Sequence, residues 1–162
     1  MIVIHPHAQK MRNGMPNAKN FPYWPQLITL LDADVIQIGV EGEEELPLVQ
    51  DFRQGLKLKE VRALLEQCDY WVSVDSFLPH LAHHIPKAGV VIYGVSDPTI
   101  FGYPENLNVL KDRKFLRASQ FSIWEEQSYS PEPFLGPKEI AKAIEQWAAD
   151  RVIAPKLHVV SG

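Results

Sequence analysis

The chain has 162 residues, 46% apolar and 22% charged, with a formal net charge of −4. A chain of that size buries roughly 70% of its unfolded surface as one domain without disulfide or metal support. Its apolar runs are far too short to cross a bilayer, its single Cys68 cannot form an internal bridge, and its acidic balance, with no run of Lys and Arg interleaved with aromatics, argues against direct nucleic-acid binding.

The start, MIVIHPHAQ, has neither a basic leader nor a small-residue cleavage site, so the expected location is cytoplasmic. Residues 2–4 read as a short buried strand ending at His5-Pro6-His7. The segment AQKMRNGMPNAKNFPYWP is polar, broken by glycine and proline, and carries Lys10, Arg12 and Lys19. It predicts a long loop, and long loops inside compact domains are usually functional or disordered. Helical spacing follows in Trp24, Leu27, Ile28 and Leu31, then a second strand over 35–38. That strand closes on Gly39 and the acidic run Glu41, Glu43, Glu44, Glu45, a pattern typical of a solvated face or a first helical turn. After a weaker stretch at 46–55, Leu58, Val61, Leu64 and Leu65 mark an amphipathic helix, with Cys68 read as a packed helix end rather than a nucleophile.

The rest of the chain is organised around residues 70–81, YWVSVDSFLPHL. Trp71, Val72 and Val74 suit a buried strand, and Asp75-Ser76 followed by Pro79 signals a turn into a short helix over 78–84. A strand that stops at a helix start leaves unpaired N–H groups and the positive end of a helix dipole at the sheet's carboxyl edge, which suits an anion. The same residues also make an ordinary N-cap and first turn. Residues 89–93 predict another buried strand, and 94–105 (GVSDPTIFGYPE) a loop of turn formers. Beyond Leu110 no pattern stands out until Gly136-Pro137, which opens a last amphipathic helix to Ala149 through Ile140, Ile144 and Trp147. The tail RVIAPKLHVVSG is apolar enough to pack back on the domain.

Strands alternating with helices predict an α/β fold, a doubly wound parallel sheet with helices on both faces, in a single domain over 1–162 with a C-terminal helix and tail. Loops that follow strands gather on one sheet edge, where ligands bind, so Lys19, Glu41, Asp75, Ser76 and His80 are expected to converge there. His80 and His84 stand four apart beside His83, with His5 and His7 on the same edge. Without an HExxH or cysteine pair they read as surface or core histidines, and no metal site is expected. Phe21, Tyr23 and Trp24 read as an apolar loop anchor in preference to a nucleobase stack.

Four of these pieces carry a resemblance. Lys19-Asn20-Phe21-Pro22, Gly39-Val40-Glu41, Asp75-Ser76-Phe77-Leu78-Pro79-His80-Leu81 and Tyr93-Gly94-Val95-Ser96-Asp97-Pro98 agree in order and approximate spacing with K-x-W-P, G-x-E, D-[ST]-G-x-x-H-L and [FY]-G-x-[ST]-D-P elements. They resemble the C-terminal, donor-binding half of the family-nine glycosyltransferases, the ADP-heptose:lipopolysaccharide heptosyltransferases, over about residues 1–110. The resemblance implies a Rossmann-like half of a GT-B glycosyltransferase that binds a nucleotide-diphosphate sugar without a cofactor and transfers a hexosyl or heptosyl group. Lys19 would hold the diphosphate, Glu41 the ribose hydroxyls, and Asp75, Ser76 and His80 the sugar and phosphates; Asp97 closes the substrate-binding set. The chemistry agrees: a leaving nucleoside diphosphate gains charge that needs a cation, and a carboxylate suits hydroxyls better than phosphate.

Two departures qualify the analogy. Phe77 stands where the family has glycine, which obstructs close backbone approach to a phosphate. The family's acceptor-binding half, with its proposed carboxylate base, has no counterpart here, so the acceptor side is expected from a second copy of the chain or a separate subunit. A base must lie within hydrogen-bonding reach of the attacking hydroxyl; Asp97, His7 and Asp75 are the candidates and none is persuasive, since Asp97 in a Ser-Asp-Pro turn reads first as a local cap. The alternative function is a non-catalytic module that binds a nucleotide or nucleotide sugar.

Overall fold

Alternate residues of each strand serve opposite faces of one sheet. Ile2 and Ile4, Val72 and Val74, and Val90 and Ile92 join one apolar cluster, while Val3, Trp71, Val91 and Tyr93 join another. A strand buried on both faces has no polar side, which is why these segments read as continuous apolar runs. The computed structural model describes residues 1–161, with side chains described through Arg151. Its strands are β1 (Ile2–His5), β2 (Val35–Gly39), β3 (Asp51–Gln54), β4 (Tyr70–Val74), β5 (Val90–Tyr93) and β6 (Leu107–Leu110). They form a six-stranded sheet in the order β3-β2-β1-β4-β5-β6, with every neighbouring pair parallel. This is the doubly wound α/β sheet the sequence predicts.

The helices are α1 (Trp24–Leu30), α2 (Leu58–Gln67), α3 (Phe77–His83), α4 (Pro98–Phe101) and α5 (Pro137–Ser161). At seven residues α1 is too short to persist alone; it is held by burying Trp24, Leu27 and Ile28 in the cluster that also takes Ile140 and Ile144 of α5. Each such side chain contributes roughly 1.5–3 kcal/mol on burial. On the other face Val61, Leu64 and Leu65 of α2 pack with Leu78 and Ala82 of α3. Gly89 is required here, because a Cβ at that position would collide with the Trp71 indole, whose Nε1 donates to Lys87 O at 2.9 Å. Cys68 is buried at the end of α2, and burial pushes its thiol pKa up, away from the reactive thiolate.

Four segments differ from the sequence reading, one of them the 94–105 loop, which holds the four-residue helix α4. The weak stretch at 46–55 holds edge strand β3, whose Asp51 and Arg53 pair with each other at 2.8 Å and give no apolar alternation. Residues 107–110 form β6, the opposite edge, which no sequence signal marks. Helix α5 runs past Ala149 to Ser161; the packing expected of the tail lies outside the described side chains. Among the described residues no helix is long and apolar enough to cross a membrane.

Candidate functional site

The chain leaves β1 for β2 and β3 on one side, then returns to β4 on the other. The carboxyl ends of β1 and β4 therefore diverge into connections of opposite direction, the place where open α/β sheets form a crevice. A cleft of about 960 Å³ opens there. His5 and Asp75 form its floor, the loop after β1 and the β2 end form one side, and Phe77, His80, Phe101 and residues 120–125 form the other. Its lining holds Lys10, Arg12 and Lys19 against Glu43, Asp75 and Glu125, so attraction of an anion depends on local placement and not on a net positive field.

The long loop after β1 is ordered from within by two asparagines. Asn17 Nδ2 donates to Gln9 O at 2.9 Å and its Oδ1 accepts from Lys19 N at 3.0 Å, while Asn20 Oδ1 accepts from Ala8 N at 2.8 Å. These bonds fold the loop back on itself and return Lys19 to the sheet edge it left. Lys19 Nζ lies 3.1 Å from Asp75 Oδ2, with the two side chains 18% and 9% exposed. Residues distant along the chain thus share one ion pair on the cleft floor.

Ser76 caps α3 by accepting from Leu78 N at 3.4 Å, and its Oγ lies 2.9 Å from His5 Nδ1 and 3.0 Å from Ser73 Oγ. Ser73 in turn donates to Val74 O at 2.6 Å. One proton order satisfies every member: His5 Nδ1–H donates to Ser76, Ser76 to Ser73, and Ser73 to the backbone. Burial, aided by the charge of His7, lowers the His5 pKa to about 4, so His5 is neutral and a weak base. His7 also lines the cleft, and burial lowers its pKa too, against the raising effect of Glu44.

The junction of β4 and α3 offers fewer anion donors than the sequence predicts. Helix α3 has seven residues, Ser76 occupies the Leu78 N–H, and Pro79 has none to give. The polar groups presented to the cleft there come from side chains instead. His80 lines the cleft with its Nδ1 2.7 Å from the Tyr103 hydroxyl, and Tyr103 is itself stacked on His83 at 3.9 Å; His83 Nδ1 pairs with Glu105. Phe77 is 43% exposed and stands edge-on to His5 at 4.8 Å, so an aromatic ring occupies the mouth where glycine would leave backbone bare.

Of the residues singled out from sequence, Lys19, Asp75, Ser76 and His80 line the cleft; Glu41 and Asp97 do not. Glu41 is exposed, its side chain against Gly55. Glu43 lines the cleft instead: its carboxylate occupies the notch above Gly39, where a Cβ would collide with it, and its buried Oε2 has no hydrogen-bond partner. Burial raises the Glu43 pKa, partly offset by the backbone at Val40 and the charge of Lys10. The Asp97 carboxylate is occupied elsewhere. It caps α4 through Thr99 N at 2.9 Å and accepts two bonds from Arg113 at 3.0 and 2.8 Å, and the Arg113 bond leads the causes that lower its pKa to about 2. Such a group is a structural anchor and a poor base. Phe21 and Trp24 are buried, and Phe21 packs against Phe134 at 5.9 Å, so the aromatic set anchors the loop from below the cleft. Among the described residues no three His, Cys, Asp or Glu side chains converge as metal ligands.

One cleft residue has no signal in the sequence. Trp124, in a short 3-10 turn at Trp124–Glu126, lies in the segment past Leu110 where no periodicity stands out. Only an aromatic between Ile123 and Glu125 marks it there, and that pattern does not distinguish a site from a surface.

Residues 53–122 match the family model of glycosyltransferase family 9 (heptosyltransferase). The E. coli ADP-heptose lps heptosyltransferase II matches with a TM-score of 0.66 at 19% identity, over 93% of this chain and 46% of that one. A family 9 glycosyl transferase from Veillonella parvula DSM 2008 matches with a TM-score of 0.63 at 18% identity, over 93% of this chain and 46% of that one. E. coli heptosyltransferase WaaC, solved with ADP, matches with a TM-score of 0.56 at 20% identity, over 91% and 43%. A comparison with curated proteins finds no match. The chain therefore resembles family-nine glycosyltransferases in sequence over 53–122 and in its Rossmann-like fold over nearly its whole length, and it spans about half the length of these structures.

Proposed function

We propose that this domain binds a nucleotide-diphosphate sugar in the cleft and takes part in transferring the sugar to an acceptor hydroxyl, with the acceptor side supplied by a partner domain, a separate subunit or a second copy of the chain. The observation that carries this is the meeting of Lys19 and Asp75, 3.1 Å apart, at the sheet's switch point. As the bond from the anomeric carbon to the diphosphate oxygen breaks, negative charge grows on the leaving group, and a cation already fixed beside it lowers that barrier. Lys19 is that cation, held ready by Asp75. His80 adds a ring N–H donor, and Glu43, the carboxylate at the β2 end, takes the ribose hydroxyls that the resemblance assigns to Glu41.

The attacking hydroxyl must lose its proton to a base in reach. Of the three candidates, Asp97 lies outside the cleft and is held by Arg113, Asp75 is ion-paired, and His7 is weakened by burial. The base is therefore expected from the acceptor side. The same observation favours a second reading, binding without turnover.

A melting screen with ADP, GDP, UDP and CDP and their sugars tests the proposal. A ligand at a hundred times its dissociation constant stabilises by about 2.7 kcal/mol, and Lys19→Ala is expected to weaken binding and so reduce that gain without erasing it. No shift with any of them overturns the donor site. A shift without turnover across a broad acceptor panel favours the binding module.

A further inference from the structure

The Trp124 indole carries two cations. Lys19 Nζ lies 4.5 Å from its ring centroid and Arg117 Cζ lies 4.0 Å from it. A cation over an indole face is attracted by the ring's quadrupole, most strongly where water is scarce. Arg117 is 9% exposed, and its Nη1 is buried without a hydrogen-bond partner. Its Nη2 donates to Ser122 Oγ at 2.6 Å and Ile123 O at 3.0 Å. The guanidinium thus ties down the backbone just before Trp124 while its face meets the indole. The segment is fixed to the end of β5 as well: Arg117 N donates to Val95 O at 3.0 Å, Gln120 Nε2 to the same carbonyl at 3.1 Å, and Gln120 Oε1 accepts from Asp97 N at 3.0 Å. These bonds hold a wall that presents Trp124 to Lys19.

We propose that Trp124 is a positioning residue for Lys19: its indole and the Asp75 carboxylate together confine the ammonium to the cleft floor, where a diphosphate meets it. This rests on the cleft being a diphosphate site, but the positioning contact itself does not. Lysine has a long, rotamer-rich side chain, and a residue that restricts it in advance removes part of the ordering cost of binding. Asp75 alone fixes the charge at one end; the indole closes a second side without neutralising it. Trp124 lies outside the segment matched to family 9, and so does Lys19.

The test uses the full chain with Trp124→Leu, Trp124→Phe and Lys19→Ala, probed with ADP and with inorganic pyrophosphate. In the wild type the Lys19 ε-methylene protons are expected upfield of their ordinary position through the indole ring current, and to return to it in Trp124→Leu. Both ligands are expected to bind Trp124→Leu about tenfold more weakly, with Trp124→Phe intermediate. Adding either Trp124 substitution to Lys19→Ala is expected to cost nothing more, because the indole acts through the lysine. Unshifted Lys19 protons in the wild type overturn the proposal, as do losses that add in the double variant. If neither ligand binds the wild type, the donor site fails and the proton shift alone decides whether Trp124 holds Lys19. Should Trp124→Leu not fold, Trp124→Phe and its double variant decide the question in the same way.

Discussion

Tyr103 holds His80 by a single bond, hydroxyl to Nδ1 at 2.7 Å, and so decides which nitrogen the cleft meets. With the phenol donating, Nδ1 is the acceptor and Nε2 the nitrogen that carries a proton toward a ligand. Tyr103→Phe keeps the stack on His83 and removes only the hydroxyl. Stability is expected to fall by about 1 kcal/mol, with ADP affinity reduced about fivefold and the ring-nitrogen shifts of His80 moving toward a tautomer mixture. Unchanged affinity and an unchanged tautomer would show that Tyr103 does not orient His80.

Acid should loosen the fold through His5. Its pKa is about 4 when folded, against 6.5 ordinarily, so between those values the unfolded chain binds a proton that the folded chain refuses. Stability therefore rises with pH across that window and is lost as pH falls through it. The full displacement corresponds to about 3 kcal/mol, and His7, also lowered, adds with the same sign. Urea midpoints measured from about pH 7 to about pH 4.5 are expected to fall steadily, and His5→Asn to flatten the slope. Asp97 acts in a lower range: its depressed carboxylate stabilises above about pH 4, and that contribution is lost as pH falls toward 2.

Two glutamates near the end of β2 divide clearly by position. Glu43 sits over Gly39 in the cleft lining and Glu41 faces away. Glu43→Gln is expected to weaken ADP about tenfold, the scale of a lost charge-assisted hydrogen bond, while leaving inorganic pyrophosphate, which has no ribose, unaffected. Glu41→Gln is expected to change neither. Equal effects on both ligands would remove Glu43 from hydroxyl recognition.

The central strands are legible because burial on both faces makes them continuously apolar, and Asp75, Ser76 and His80 because they follow the end of β4; Lys19, far along the loop after β1, is legible only through the Lys19-Asn20-Phe21-Pro22 resemblance. The edges are not. DFRQ of β3 is largely solvated, and LNVL of β6 is four residues broken by Asn108. Telling Glu43 from Glu41 required the course of the backbone after Gly39, which an acidic run does not encode. Asp97 illustrates the opposite case: a Ser-Asp-Pro turn already suggests a cap, and Arg113 completes it from a segment without pattern. Trp124 is hidden for the same reason, since its partners Lys19 and Arg117 are defined only once the loop after β1 and the segment after β6 are brought together.

Tyr129 donates to Asn20 O at 3.3 Å, and Trp124 lies over Lys19, so the first loop is clasped by residues that follow all six strands. During synthesis, every strand and every motif leaves the ribosome before this clasp does. A nascent chain that has reached Leu110 carries the lysine and the aspartate but has nothing to shut over them. The wall over Lys19 is therefore the last part of the cleft to be made, after every strand that carries its floor.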